Sequence, residues 1–232
     1  MSTSVWWVPG MFGDSSHLGD LPASGDTLID WREYADDLDL SAAARGLAAK
    51  ALASGQRPHL VGYSMGGRLA LHVALVAPGA FRTVTAVSAH PGFLQANQQQ
   101  QRREEDQRWA NRLRDGDLAQ FWRDWNARGV LKTSAPLPLP ATLSEERSLW
   151  ARMLVNFGTG TQSDLAEALR THQACIAAMV GENDSDYVQH NLRWPASIRR
   201  YQIPGAGHRA LLDNPAGFQK CWHTFLKESG HE

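Results

Sequence analysis

Residues 59–71, HLVGYSMGGRLAL, constrain this chain more than any other stretch. Leu60 and Val61 read as the end of a buried parallel strand, and the Ala- and Leu-rich run from Gly67 reads as a helix. Between them, Gly62-Tyr63-Ser64-Met65-Gly66 fits G-x-S-x-G, the turn of a nucleophile elbow. So sharp a turn excludes bulky neighbours, and flanking glycines let the serine hydroxyl stand clear of a sheet. By itself the motif is short, and it needs partner residues on other loops.

The surrounding pattern supplies the sheet. Val5–Val8 is a short apolar strand ended by Pro9-Gly10, residues 27–29 read as a second strand, and Leu40–Ala53 has helical spacing closed by Ser54-Gly55. A short helix is expected over 16–21. Pro78-Gly79 stops the elbow helix, and the β-branched run 83–88 is a fourth strand. The pattern then changes. Residues 95–125 are charged, strand-free and dotted with aromatics, which predicts a helical pair. Residues 134–140 (SAPLPLP) form a stiff connector, and a helix is expected over 144–154. A helix over 164–172, strands over 174–180 and 197–203, and a final helix over 216–228 resume the alternation. Strands alternating with helices predict an α/β protein with a mostly parallel, doubly wound sheet. The expected organisation is a core of residues 1–90 and 161–232 with a helical lid, 91–160, inserted over the sheet's carboxyl edge.

At 232 residues with a net charge of −1, the chain fits one α/β domain with an insertion and carries no basic footprint for nucleic acid. No apolar run approaches the ~20 residues of a membrane span, and MSTSVWWVPG has no leader pattern. Cys175 and Cys221 are expected to be buried free thiols of a cytoplasmic protein. The chain is read as a monomer or weak homo-oligomer.

Reactive groups of a doubly wound sheet gather on loops at the carboxyl ends of its strands. Three such loops carry Ser64, Asp184 and His208, in the order Ser…Asp…His. A serine hydroxyl is a poor nucleophile or base until an imidazole takes its proton, and the imidazole needs a carboxylate to hold its tautomer. Asp184 competes with Glu182 and Asp186 and is preferred for its offset past the strand end. Met65 N–H and Met11 N–H are the candidate donors for a developing oxyanion. His90 is a candidate cavity residue, whereas His17, His59, His72, His172, His190, His223 and His231 are expected on the surface or in packing. Gly205-Ala206-Gly207-His208-Arg209-Ala210 fits a loose dinucleotide pattern, but Pro204 precedes it and Asp213-Asn214-Pro215 interrupts the helix that should follow. No cluster has metal-ligand spacing, and no cofactor is implied.

Arginine is the second informative feature. Arg68 lies four residues after Ser64, about one helical turn along the elbow helix. Arg102, Arg103, Arg108 and Arg112 fall in the inserted segment. An apolar ester has no use for cations beside the serine; a small molecule bearing several carboxylates does. A ligand role is assigned to Arg68 and one arginine of the insertion, and the others are expected to pair with Glu104, Glu105 and Asp106 on a solvated face.

GYSMGGR, the HPG after the next strand, QQRREEDQRWANRL and FWRDW resemble one family of the α/β-hydrolase superfamily, as do RML, TQSDL, GENDSDY and IPGAGHRALLDNPAGF further along. That family is the 2-succinyl-6-hydroxy-2,4-cyclohexadiene-1-carboxylate (SHCHC) synthases, MenH, of menaquinone and phylloquinone biosynthesis. The likeness covers most of the chain from Leu60 onward. It implies the α/β-hydrolase fold and a lyase that eliminates pyruvate from a tricarboxylate, with the triad abstracting a proton instead of transferring an acyl group. Carried over by position, the triad is Ser64, Asp184 and His208, and the oxyanion donors are Met11 and Met65. Tyr63, Arg68, Arg102 and Trp125 fall on substrate-binding positions. The chain departs from the family pattern in four places. Pro9-Gly10 stands where the family has His-Gly, and DWREYADDLDL replaces a Pro-Gly-His-Gly loop. The N-terminal hairpin strands are absent, and the segment between Trp125 and Met153 is short. A further family arginine therefore has two candidate counterparts, Arg147 and Arg152. The alternative chemistry is a carboxylester or thioester hydrolase running the same triad through an acyl-enzyme; a non-catalytic binding protein is a third reading.

Overall fold

A computed structural model describes residues 4–231; residues 1–3 and 232 of the expected core lie outside the described residues. Six strands form one parallel sheet: β1 (Val5–Val8), β2 (Thr27–Leu28), β3 (His59–Tyr63), β4 (Val84–Val87), β5 (Ile176–Gly181) and β6 (Arg199–Ile203). Their order is β2-β1-β3-β4-β5-β6. The chain steps outward from β1 to β2 and then returns to build β3 on the other side of β1. This reversal makes the β1/β3 gap the switch point at which open α/β sheets bind ligands.

The register brings the working ends of the strands into one row. Val8 is level with Gly62, Tyr63 with Val87, Val87 with Met179, and Gly181 with Ile203. Residues that follow β1, β3, β4, β5 and β6 therefore emerge along a single edge.

Period-two alternation sends neighbouring side chains to opposite faces. Trp6, Val8, Leu60 and Ala86 join the apolar layer of α1 (Leu40–Ala53) and α2 (Met65–Val76). Val5, Trp7, Val61 and Met179 join the layer under α9 (Pro215–Glu228), with Phe218 and Phe225 fully buried. Each such aromatic contributes roughly 2–3 kcal/mol by burial.

Between β4 and β5 the chain forms α3 (Ala96–Asp115), α4 (Leu118–Asn126), α5 (Arg147–Asn156) and α6 (Leu165–Ala168). Phe12, which has a left-handed backbone at φ 60° directly after the β1 loop, is the peg that fastens α4 and α5 to the sheet. Its ring lies 4.9 Å from Trp125, 5.8 Å from Trp122 and 5.4 Å from Trp150. Two short helices complete the fold, α7 (Ser185–Asn191) after β5 and α8 (Ala210–Asp213) after β6. Among the described residues no helix is long and apolar enough to cross a membrane.

Several expectations shift. The helix expected over 16–21 is one 3-10 turn, Ser15–His17, capped by Asp14. The helix expected from residue 144 starts at Arg147, because Ser144 does not cap it and residues 141–145 turn back on Pro140 and Thr142. The helix expected over 164–172 is a single turn capped by Asp164. Cys175 and Cys221 are half-buried rather than buried, since one precedes β5 and the other lies toward the rim of α9.

Candidate active site

β3 ends at Tyr63, and Ser64 takes φ 53°, ψ −109° before α2 begins at Met65. A side chain at Gly62 would strike the Gly66 carbonyl, and one at Gly66 would strike the Val8 and Pro9 carbonyls. Both glycines are therefore demanded by close backbone approach, and Ser64 carries the strained left-handed conformation between them.

Ser64, Asp184 and His208 meet at the row of strand ends. His208 Nδ1 is 2.7 Å from Asp184 Oδ2, and His208 Nε2 is 3.3 Å from Ser64 Oγ. A carboxylate only accepts, so Nδ1 carries the proton and Nε2 is left to accept from the serine hydroxyl. Asp184 and His208 are both buried. Of the competing acids, Glu182 is exposed and accepts from Gly205 N–H, and Asp186 lines the cavity without bonding His208. Asp184 is fixed from both sides: its N–H donates to the Gly181 carbonyl, and Val188 N–H donates to the Asp184 carbonyl.

The serine opens on a cavity of about 440 Å³. Met11, Tyr63, Met65, Arg68, Arg102 and Trp125, all assigned from sequence, line it. Met65 N–H belongs to the first residue of α2, and Met11 N–H to the turn after β1. Among the described residues neither has a hydrogen-bond acceptor. A helix N-terminus and a free loop N–H beside a hydroxyl suit a developing negative charge. Burial raises the Tyr63 phenol above its ordinary range, which keeps it neutral.

Four arginines line this space, Arg68, Arg102, Arg128 and Arg209, together with Glu105, Asp106 and Asp186. Burial lowers Arg68 to about 10, still cationic at neutral pH. It donates to the Phe157 carbonyl and, at 2.9 Å, to Gln162 Oε1, while Gln162 Nε2 holds the His90 carbonyl. Arg102 reaches in from α3 and pairs with Asp106 at 2.8 Å. Burial works against its charge, but the Asp106 carboxylate outweighs that and holds the guanidinium firmly protonated.

Other sequence assignments are corrected. Of the three acids expected to pair with the other insertion arginines, Asp106 pairs with Arg102, the arginine assigned to the ligand, and Glu105 lies 3.7 Å from Arg128. Arg103 instead donates to Gln100 and the Gly160 carbonyl, and Arg112 pairs with Asp124. Arg108 is exposed. Arg147 caps the Gly116 carbonyl and Arg152 faces Asp36, so neither candidate for the further arginine lines the cavity.

Sequence reasoning missed Arg128, Arg209, Tyr187, His17 and His190, all of which line the cavity. Tyr187 packs its ring 4.5 Å from that of His208, and His190 lies 4.1 Å from His90. His17 is buried with Nδ1 unpartnered, and burial lowers its pKa to about 4. Position just past a strand end could have marked Tyr187; for His17 the sequence held no signal. His90 lines the cavity as expected, with Nδ1 accepting from Gly92 N–H at 2.9 Å.

Comparison with known proteins matches residues 6–219 to the model of the alpha/beta hydrolase family. A 2-succinyl-6-hydroxy-2,4-cyclohexadiene-1-carboxylate synthase of Escherichia coli is 32% identical over 217 residues, covering 90% of this chain and 83% of that protein. One of the same name from Serratia proteamaculans is 30% identical, covering 91% and 82%. The solved structure of MenH from S. aureus superposes with a TM-score of 0.84 at 21% identity, covering 98% of this chain and 94% of that one.

Proposed function

Because this chain belongs to the alpha/beta hydrolase family and is an enzyme of the SHCHC-synthase type, we propose that it is a carbon–oxygen lyase that eliminates pyruvate from a tricarboxylate to give 2-succinyl-6-hydroxy-2,4-cyclohexadiene-1-carboxylate. The observation that carries this reading is a serine–imidazole–carboxylate line opening on a cavity lined by four arginines. An apolar ester has no use for so many cations around the serine, whereas a ligand bearing several carboxylates does.

On this reading Asp184 holds His208 with its proton on Nδ1. As Ser64 Oγ removes a C–H proton from the substrate, Nε2 takes the hydroxyl proton. The C–H electron pair moves through the conjugated system and breaks the enolpyruvyl C–O bond. Charge that gathers on a substrate oxygen meets the Met11 and Met65 N–H groups, and each such donor is worth ~10²–10³ in rate. The His208 imidazolium gives its proton to the oxygen of the departing enolpyruvate, which tautomerises to pyruvate, and Ser64 keeps the proton taken from carbon. Arg68 and Arg102 hold substrate carboxylates, with Tyr63 and Trp125 beside them. Residues 91–160 serve as the lid on a core of 1–90 and 161–232.

Incubating the purified protein with the tricarboxylate and coupling pyruvate to lactate dehydrogenase tests the reading. Pyruvate should appear, and Ser64→Ala should slow its release by ~10³-fold or more. If wild-type protein yields no pyruvate, and a fluorophosphonate labels Ser64 while short p-nitrophenyl esters turn over, the chain is a hydrolase instead.

A further inference from the structure

The four cavity arginines are not equivalent. Arg68 is committed to Phe157 and Gln162, and Arg102 to Asp106. Arg209 donates at 2.7 Å to both the Ala135 carbonyl and Asn126 Oδ1. Arg128 is different. Among the described residues its guanidinium makes no hydrogen bond, and its one ion pair is a long one, to the half-exposed Glu105 at 3.7 Å. What holds it is aromatic: its central carbon lies 4.3 Å from the Trp125 ring centroid and 5.5 Å from that of Trp109. Its side chain is only 16% exposed.

Stacking fixes the plane of a guanidinium while leaving the N–H groups on its edge unused. Glu105 offsets part of the charge at 3.7 Å but takes none of the N–H groups in a hydrogen bond, so the donors are available to an anion from the cavity. The backbone is fixed as well. Arg128 N–H donates to the Trp125 carbonyl at the end of α4, and Leu131 N–H donates to the Arg128 carbonyl at 2.8 Å. The group is therefore held in place before any ligand arrives.

We propose that Arg128, presented to the cavity by the indole faces of Trp109 and Trp125, binds a carboxylate of the ligand and discriminates polycarboxylates from monoacids. It does the work for which residues 147 and 152 were candidates in the sequence, from a different point on the chain. The assignment rests on the polycarboxylate reading of the cavity but not on the reaction carried out there.

Its test is binding of tricarballylate, followed by calorimetry and by tryptophan emission. Wild-type protein should bind with a change in emission, because the ligand recharges the face of two indoles. Arg128→Gln should bind about 10- to 100-fold more weakly, the loss expected of one charge-assisted contact. With the tricarboxylate substrate the same variant should raise KM over that range and leave kcat within about threefold, as for a group that binds ground and transition state alike. Arg128→Lys, which keeps the charge and loses the planar fork, should fall between. Affinity of Arg128→Gln within about twofold of wild type, or an emission that does not respond, overturns the proposal. If Arg128→Gln does not fold, near-wild-type affinity of Arg128→Lys overturns it. Wild-type protein that binds tricarballylate through Arg128 yet releases no pyruvate sinks the lyase and leaves the assignment standing.

Discussion

His208 bridges a hydroxyl and a carboxylate because three loops, each short, deliver one side chain apiece to the row of strand ends. The 2.7 Å contact to Asp184 is the tighter of its two bonds and fixes which nitrogen is basic. Asp184→Asn keeps the size of the side chain but presents an amide, so the imidazole can settle with its proton on the wrong nitrogen. Pyruvate release should fall by ~10³–10⁴-fold, with an unchanged circular dichroism spectrum. A fall of less than tenfold in the coupled assay would mean that the carboxylate does not orient the ring. Ser64, Asp184 and His208 could be picked out from sequence because loop position and residue type suffice for them. His17 could not, since its approach to the cavity depends on how the loop after β1 folds around Gly13.

At the scale of elements, α3 shows how a helix sorts its charges. Residues 102, 106, 109, 110 and 113 recur at three- and four-residue spacing and form the inward face, with Asp106, Ala110 and Leu113 buried. Arg103, Arg108 and Arg112 fall on the outer face and are exposed. That spacing was readable, and it singles out Arg102 among the arginines of α3. Removing the buried carboxylate should cost far more than removing an exposed partner. Asp106→Ala leaves Arg102 uncompensated and should lower stability by roughly 3 kcal/mol. Arg112→Ala, which breaks an exposed pair with Asp124, should stay within about 0.5 kcal/mol. Urea unfolding of the two variants checks this, and equal effects would contradict the burial argument.

For the whole molecule, histidine burial sets the response to acid. Burial lowers His17, His59 and His72 to about 4 and His90 to about 2. In the unfolded chain each takes up a proton near its ordinary value of about 6.5, while the folded protein resists protonation. The unfolded state thus binds more protons as pH drops. The stability these groups contribute is complete above pH ~6.5 and is lost as pH falls through the folded values near 4, at up to about 1.4 kcal/mol per pH unit for each histidine. Thermal unfolding should come at a clearly lower temperature at pH 5 than at pH 7.5. Equal midpoints would mean that the histidines are not shielded as the packing implies.

The sequence by itself determined the alternation of strands and helices, the elbow, and the three loops that carry serine, acid and histidine. Those follow from local rules: strand and helix periods, glycine where backbones touch, and the fixed polarity of a parallel sheet. Only the tertiary structure decided which guanidinium groups face the cavity. An arginine side chain is long and jointed, and its direction is set by what packs around its stem. Arg128 turns inward because Trp109 and Trp125, from two different helices, converge to give it a surface to lie on. Arg147 and Arg152, on α5, find partners at Gly116 and Asp36 instead.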